Sequence, residues 1–118
     1  MELLEKLAQA AWERDSLTVR SLAQELVRTY PQLALIARPT TPDEHTMVMA
    51  AALLEVLAMR TGQAAPPWTA TIGAAADGFY LVAAAETMPR LRLHCESEAP
   101  EPLRTRRLYA PADFLAWA

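Results

Sequence analysis

The chain has 118 residues, a net charge of −3 and one cysteine. This length allows one domain with an ordinary hydrophobic core, so residues 1–118 are predicted to form a single helical domain. The negative charge argues against broad attraction to nucleic acid, which depends on Lys and Arg neutralising phosphates, although a local basic patch stays open.

Cysteine use and hydropathy predict a soluble protein of a reducing compartment. Cys95 has no second cysteine to pair with, which favours the cytoplasm. The first six residues mix acids with apolar side chains, unlike the basic start and apolar run of a secretory signal. The longest apolar run, residues 47–54, has eight residues, whereas a membrane-spanning helix needs about 20. We therefore expect a cytoplasmic protein without a membrane segment.

Apolar residues at helical spacing predict two amphipathic helices at the start of the chain. The stripe of the first helix is formed by Leu3, Leu4, Leu7, Ala8, Ala11 and Trp12. Asp15 and Ser16 offer side-chain acceptors for a second helix. Its stripe is formed by Val19, Leu22, Ala23, Leu26, Val27 and Tyr30. Pro31 disfavours helical angles at the preceding residue, so this helix should end near there.

A third helix, at about residues 42–61, is predicted to form the centre of the domain. Before it, the short apolar stretch 31–38 fits either a helical turn or a strand, and we favour a short helix. A threonine cap followed by Pro42 at the first helical position marks the start, and Gly62 lies just past the end. Between residues 47 and 59 only Glu55 is not hydrophobic, so this helix should be buried on nearly all sides.

Prolines and glycines interrupt the rest of the chain. Residues 63–86 are predicted to be irregular, and pairing of residues 69–72 with 79–82 in a small hairpin is left open. Pro89 opens a further helix that Pro100 stops, and short helical segments should follow. The predicted fold class is all-α: a compact multi-helix domain around the central helix, with short C-terminal helices.

The chemistry of the side chains does not predict catalysis. His94, Cys95 and Glu96 are metal-ligand types, but adjacent residues on a helix point about 100° apart and do not converge on one ion. Three glycines are too few for a glycine-rich phosphate-binding loop. No nucleophile motif accompanies the serines. We therefore expect no enzyme activity, no metal and no cofactor.

Aromatic residues and arginines are interleaved in residues 68–118, where six of the eight aromatic residues lie. Trp, Tyr, Phe and Arg dominate the energetic centres of protein interfaces, so this composition predicts a partner-binding surface. The candidate contact residues are Trp68, Phe79, Tyr80, Arg104, Arg106, Arg107, Tyr109 and Phe114. The alternative is structural: the aromatic residues cover the central helix, and the arginines only solvate the outside.

Short motifs follow one another in order over about residues 50–118. They are Leu53-Leu54-Glu55-Val56-Leu57-Ala58, Gly62, Pro67-Trp68, Phe79-Tyr80, Leu91-Arg92, Ala99-Pro100, Leu103-Arg104-Thr105-Arg106-Arg107-Leu108-Tyr109 and Phe114-Leu115. This order resembles a set of small, uncharacterised bacterial proteins that are often encoded beside a nucleotidyltransferase-like protein, in arrangements that look like toxin–antitoxin pairs. The resemblance implies a nucleotidyltransferase-like protein partner.

The sequence thus predicts a non-catalytic protein-binding partner or regulator, antitoxin-like toward a nucleotidyltransferase-type protein. The alternative is a DNA-binding transcriptional regulator, because residues 15–30 resemble the opening of a winged helix-turn-helix. The polar, basic recognition helix that should follow is absent, and nucleic acid is therefore not the favoured partner. A nearly all-apolar helix can be buried within one chain or shared between two copies, so a homo-oligomer is also open.

Overall fold

The computed structural model describes residues 2–41 and 43–116, and helices dominate this part of the chain. The α-helices are α1 (Glu2–Trp12), α2 (Ser16–Thr29), α3 (Glu44–Thr61), α4 (Pro89–Glu98) and α5 (Glu101–Arg104). Short 3₁₀ helices span Leu33–Leu35, Pro67–Thr71 and Ala83–Glu86, and two strands, β1 (Phe79–Tyr80) and β2 (Leu108–Tyr109), form a small sheet. The prediction of a mostly helical domain is confirmed.

The helix α1 packs its apolar stripe against both α2 and α3. Leu4, Leu7 and Leu26 are fully buried there. Asp15 caps α2 as expected, because its carboxylate accepts hydrogen bonds from the Thr18 amide at 3.2 Å and the Thr18 hydroxyl at 2.6 Å. These two hydrogen bonds lower the pKa of Asp15.

The central position of α3 is confirmed, while its start differs from the prediction. Every residue from Thr46 to Ala58 is buried except Glu55. The cap is Asp43, whose carboxylate accepts from the His45 amide at 3.0 Å, and not a threonine. An aspartate one position before the helix reaches the free amides of the first turn directly. Pro42 lies outside the described residues.

Gly62 ends α3 in the left-handed conformation, with φ at 69°. Its amide bonds to the carbonyl of Met59 at 3.4 Å, and the Gln63 amide reaches the carbonyl of Ala58 at 2.8 Å. This arrangement satisfies carbonyls that the helix leaves without partners, as the sequence predicted.

The two strands are far apart in the chain and pair in parallel, with Phe79 opposite Leu108 and Tyr80 opposite Tyr109. Residues 69–72 do not pair with β1, because residues up to Thr71 belong to a 3₁₀ helix that starts at Pro67. Successive residues of a strand face opposite sides. Phe79 therefore packs on Trp12 with ring centroids 4.3 Å apart, whereas Tyr80 faces α4.

The end of the described chain departs from the expected short helix. Residues 112–116 form turns, and Leu115 has φ at 61°, a left-handed value that interrupts a right-handed helix. Arg60 of α3 holds this segment by donating to the carbonyls of Ala112 at 2.6 Å and Phe114 at 3.0 Å. Trp117, which follows this segment, lies outside the described residues.

A charged pair links α3 to the C-terminal third of the chain, and it joins the buried Arg106 to the partly buried Glu55. Arg106 donates to both carboxylate oxygens of Glu55, at 2.6 and 3.1 Å, and its residue is only 7% exposed. The same guanidinium donates to the carbonyls of Pro102 at 3.0 Å and Thr69 at 2.9 Å. Arg106 therefore connects α3 both to its own segment and to the 3₁₀ helix that contains Thr69.

In the part of the chain that the structure describes, no helix has both the length and the apolar character needed to cross a membrane. The apolar residues of α3 are buried under the other elements of the domain.

Breaking the buried pair should strongly destabilise the protein. Arg106→Met leaves the Glu55 carboxylate without its cation, and we expect the free energy of unfolding to fall by about 3 kcal/mol or more. Urea denaturation followed by circular dichroism measures this loss. The control is Arg107→Met, because Arg107 is exposed, and its loss should stay below about 1 kcal/mol. Equal losses in the two variants would contradict the structural role of Arg106.

A side chain at Gly62 should destabilise the protein because of its backbone conformation and not because of a clash. A β-carbon added at Gly62 or at Gly73 would touch nothing within 4 Å, but only Gly62 has a positive φ of 69°. Gly62→Ala should therefore lower the free energy of unfolding by about 1 kcal/mol, whereas Gly73→Ala should be neutral or slightly stabilising. The difference between the two denaturation midpoints is the readout. A midpoint for Gly62→Ala at or above that of Gly73→Ala would contradict the assignment.

Candidate protein-contact surface

The histidines have local structural roles. The Nε2 atom of His94 accepts a hydrogen bond from the Ala112 amide at 3.2 Å. The ring of His45 lies edge-on to Trp12, with centroids 5.2 Å apart, and its carbonyl accepts from the Trp12 indole at 2.8 Å. Among the described residues, no group of three or more His, Cys, Asp and Glu side chains could hold a metal ion.

Cys95 is the one buried side chain of α4 and lies beside Glu96. Burial raises the pKa of the Cys95 thiol, and the negative charge of Glu96 raises it further. A thiol that stays protonated is a weak nucleophile and a weak metal ligand. Cys95 therefore behaves as a small apolar residue that seats α4 on the domain.

Of the eight candidate contact residues, Arg106 is not accessible in this structure. Its side chain is 8% exposed, and both terminal nitrogens are engaged with Glu55 and with backbone carbonyls. The expectation that Arg106 contributes to a contact surface is thus corrected, because a guanidinium paired inside the core cannot also reach a partner. The sequence treated all three arginines of the segment 104–107 alike.

Three of the aromatic candidates pack on the core. Trp68 donates from its indole nitrogen to the carbonyl of Ile36 at 2.9 Å. Phe79 lies between Trp12 and the guanidinium of Arg14, which is 4.7 Å from the ring centroid. Phe114 is partly buried against the same core. These three residues pack on the hydrophobic core and keep part of their side chains exposed.

Arg104 and Arg107 are exposed, but each also supports the backbone. Arg104 donates to the carbonyl of Ser97 at 3.0 Å and so helps to satisfy the C-terminal end of α4. Arg107 adopts a left-handed conformation, with φ at 61°, and donates to the carbonyl of Ala76 at 2.9 Å. Both guanidinium groups lie at the surface, where they can contact a partner without leaving these positions.

The fold brings the two remaining candidates, Tyr80 and Tyr109, side by side. The strand register places them opposite each other, and their ring centroids are 5.3 Å apart. The guanidinium of Arg92 lies 5.0 Å from the centroid of the Tyr80 ring, and the Tyr80 hydroxyl donates to the carboxylate of Glu96. We call these four residues, Tyr80, Arg92, Glu96 and Tyr109, the tyrosine surface.

Electrostatics keep Tyr80 in its neutral form. The hydrogen bond to Glu96, together with burial and the charge of that carboxylate, raises the pKa of Tyr80 to about 12. Arg92 opposes this effect only partly. The hydroxyl therefore holds its proton and acts as a fixed donor to Glu96, which immobilises the ring on α4.

A separate open groove of about 300 Å³ lies where α1 ends and α2 begins. Its walls are formed by Ala11, Arg14, Ser16, Leu17, Val19, Arg20, Leu81, Val82, Pro111, Asp113, Phe114 and Leu115. This volume is at the lower end of the range for small-molecule sites. Arg14 is engaged there, because it donates to the carbonyl of Tyr80 at 2.8 Å and to Glu86 at 2.5 Å.

Sequence reasoning missed the partners of the residues that it selected. Glu55 carried a usable signal, since a lone acid in an otherwise apolar helix needs a cation or hydrogen-bond donors inside the fold. Arg92 carried none, because its position beside Tyr80 depends on the pairing of β1 with β2. A parallel pair of two-residue strands leaves too short a pattern to recognise.

Comparisons of the chain with protein-family models, with curated proteins and with solved structures found no match.

The pKa of Tyr80 gives a direct test of the tyrosine surface. Glu96→Gln removes the negative charge beside the hydroxyl, so the pKa of Tyr80 should fall from about 12 toward the usual value, which is about 10. Absorbance of the phenolate in an alkaline titration measures it, and Tyr80→Phe identifies which step belongs to this residue. Glu98→Gln is the matched control, because its carboxylate is not the acceptor.

The same hydrogen bond makes the stability of the folded protein depend on pH in the alkaline range. Because the pKa of Tyr80 is raised in the folded protein, the stabilisation from this hydrogen bond is complete below the pKa of an unfolded tyrosine. It is lost as the pH rises through about 12. The stability difference between the wild type and Glu96→Gln should therefore shrink over this alkaline range. A difference that stays constant there would contradict the contact.

Proposed function

We propose that this protein is a non-catalytic, protein-binding regulator that acts as an antitoxin-like partner of a nucleotidyltransferase-type protein in the bacterial cytoplasm. The class of partner comes from the resemblance over about residues 50–118. We expect such a partner to bind the tyrosine surface, which includes two of the eight contact residues that the sequence predicts.

The observation that carries the proposal is the pairing of Tyr80 with Tyr109 under the guanidinium of Arg92. The two rings are 5.3 Å apart, and Arg92 lies 5.0 Å above one of them. Tyrosine and arginine are enriched among the residues that dominate binding energies, because they combine large apolar area with hydrogen-bonding ends. These are the side chains expected at the centre of a contact.

The tyrosine surface is also preorganised. The strand pairing fixes the backbone of both tyrosines, and the hydrogen bond to Glu96 fixes the ring of Tyr80. A side chain that is already ordered loses little further conformational entropy when a partner binds. The exposed guanidinium groups of Arg104 and Arg107 add positive charge in the same C-terminal part of the chain.

The use of reactive side chains inside the fold supports a non-catalytic role. Glu55 and Arg106 neutralise each other, and His94 is a hydrogen-bond acceptor for the backbone. Cys95 is buried with a raised pKa. A catalytic site needs groups whose protonation suits a reaction and whose atoms can reach a substrate, and these side chains are committed to structure.

Co-expression with the products of the neighbouring genes tests the proposal. We expect the protein to co-elute with a nucleotidyltransferase-type protein. Tyr109→Ala and Arg92→Ala should each weaken this complex by about 2 kcal/mol, or roughly thirtyfold in Kd. The matched controls are Tyr30→Ala, another half-buried tyrosine, and Arg28→Ala, another exposed arginine, and both should bind like the wild type.

Three results would overturn the proposal. The first is the absence of any complex with those gene products, and the second is turnover of a substrate by the purified chain alone. The third is a complex whose Kd is unchanged by Tyr109→Ala and Arg92→Ala. Binding to mixed duplex DNA that weakens steeply with salt would instead favour the alternative regulator, which uses residues 15–30.

A further inference from the structure

The helix α4 is covered by the rest of the domain along one narrow line only. Cys95 is its single buried residue. On the opposite side, Leu93 is 64% exposed, although it is the most apolar side chain of that face. Arg90, His94 and Ser97 are exposed around it. Leu93 is therefore the apolar centre of an otherwise polar face of α4 that nothing in the described domain covers.

The charges of α4 are arranged against its own dipole. The helix has no acid in its first turn and no base in its last turn. Arg90 and Arg92 instead lie near the positive N-terminal end, and Glu96 and Glu98 lie near the negative C-terminal end. Each of these placements is unfavourable for an isolated helix. Arg104 offsets part of the negative charge at the C-terminal end of α4, because its guanidinium donates a hydrogen bond to the carbonyl of Ser97 at 3.0 Å.

An antiparallel copy of the same helix would reverse this disadvantage. Arg90, His94 and Glu98 are spaced four residues apart and lie on neighbouring turns of one side of α4. A two-fold axis at the level of His94 therefore places Arg90 of each copy beside Glu98 of the other. The same axis brings Leu93 of one copy against Leu93 of the second copy.

We propose that α4 forms an antiparallel, two-fold symmetric interface between two copies of this chain. A two-fold interface requires a self-complementary patch, and the row Arg90, His94, Glu98 with Leu93 beside it meets this requirement. The interface differs from the tyrosine surface, because Arg92 and Glu96 face Tyr80 on another flank of the helix. The inference goes beyond the proposed function and does not depend on it.

The other charged groups of α4 do not oppose the pairing. Glu96 is engaged with the Tyr80 hydroxyl and Arg92 with the Tyr80 ring, so both are held away from the row that would meet the second copy. His94 accepts from the Ala112 amide, which fixes its ring beside the backbone. Arg90 and Glu98 are exposed and form no hydrogen bond or ion pair with each other within one chain among the described contacts.

The mass of the purified full chain in solution is the first test. Light scattering coupled to gel filtration should give twice the 13.0 kDa mass of one chain for the wild type. Leu93→Glu should give the mass of one chain, because a carboxylate at the two-fold axis meets its own counterpart. Leu35→Glu is the matched control, since Leu35 is 76% exposed outside α4, and it should stay dimeric.

Charge reversal gives the second test, which does not depend on the behaviour of Leu93→Glu. Arg90→Glu and Glu98→Arg should each raise the dimer Kd by about tenfold or more, since like charges then face each other. The double variant Arg90→Glu/Glu98→Arg restores opposite charges across the axis and should return to within about threefold of the wild type. Sedimentation equilibrium over a wide concentration range measures all four constants.

The outcomes separate this inference from the proposed function. A monomeric wild type at every concentration, a dimeric Leu93→Glu, or a double variant no better than either single variant would each overturn the α4 interface. Tyr109→Ala should stay dimeric while it loses the protein partner. Failure of the partner experiment with an intact dimer would thus refute the proposed function and leave the interface standing.

Discussion

The bidentate contact between Arg106 and Glu55 is the constraint on which the architecture depends. It joins the most buried helix to the segment before β2, and through the carbonyl of Thr69 it also holds the 3₁₀ helix after α3. Leaving the partly buried Glu55 carboxylate without a partner beside the apolar core would cost free energy. The contact therefore holds the segment before β2 against α3, and β2 pairs with β1 directly after this segment.

That arrangement determines which aromatic residues face the core and which face α4. Alternation along β1 sends Phe79 inward to Trp12 and Tyr80 outward to α4. The register with β2 then adds Tyr109 next to Tyr80. The proposed contact surface is thus a consequence of the buried pair and the strand pairing together, and neither feature is local in the sequence.

Local signals explain why much of the helical framework was predictable from the sequence. Asp15, Gly62 and Pro89 act within a few residues of the helix ends that they define, and the apolar run of α3 reports burial directly. The cap of α3 is not predictable in the same way, because the threonine and the proline before Asp43 are themselves a typical helix start. The candidate contact residues could be predicted only in part. Tyr80 and Tyr109 lie side by side at the surface, whereas Arg106 is buried. Identical residue types in one segment cannot be separated without the tertiary contacts that distinguish them.

The single buried residue of α4 has a consequence for how this molecule can change over time. Cys95 is the one buried residue of α4, and the helix makes its most extensive contacts with the 3₁₀ helix Ala83–Glu86, so its exposed positions have little part in the packing of α1, α2 and α3. The exposed positions of α4 can therefore vary between descendant sequences without a loss of folding competence. The molecule separates a framework that packing constrains from a helix surface that packing leaves free to vary.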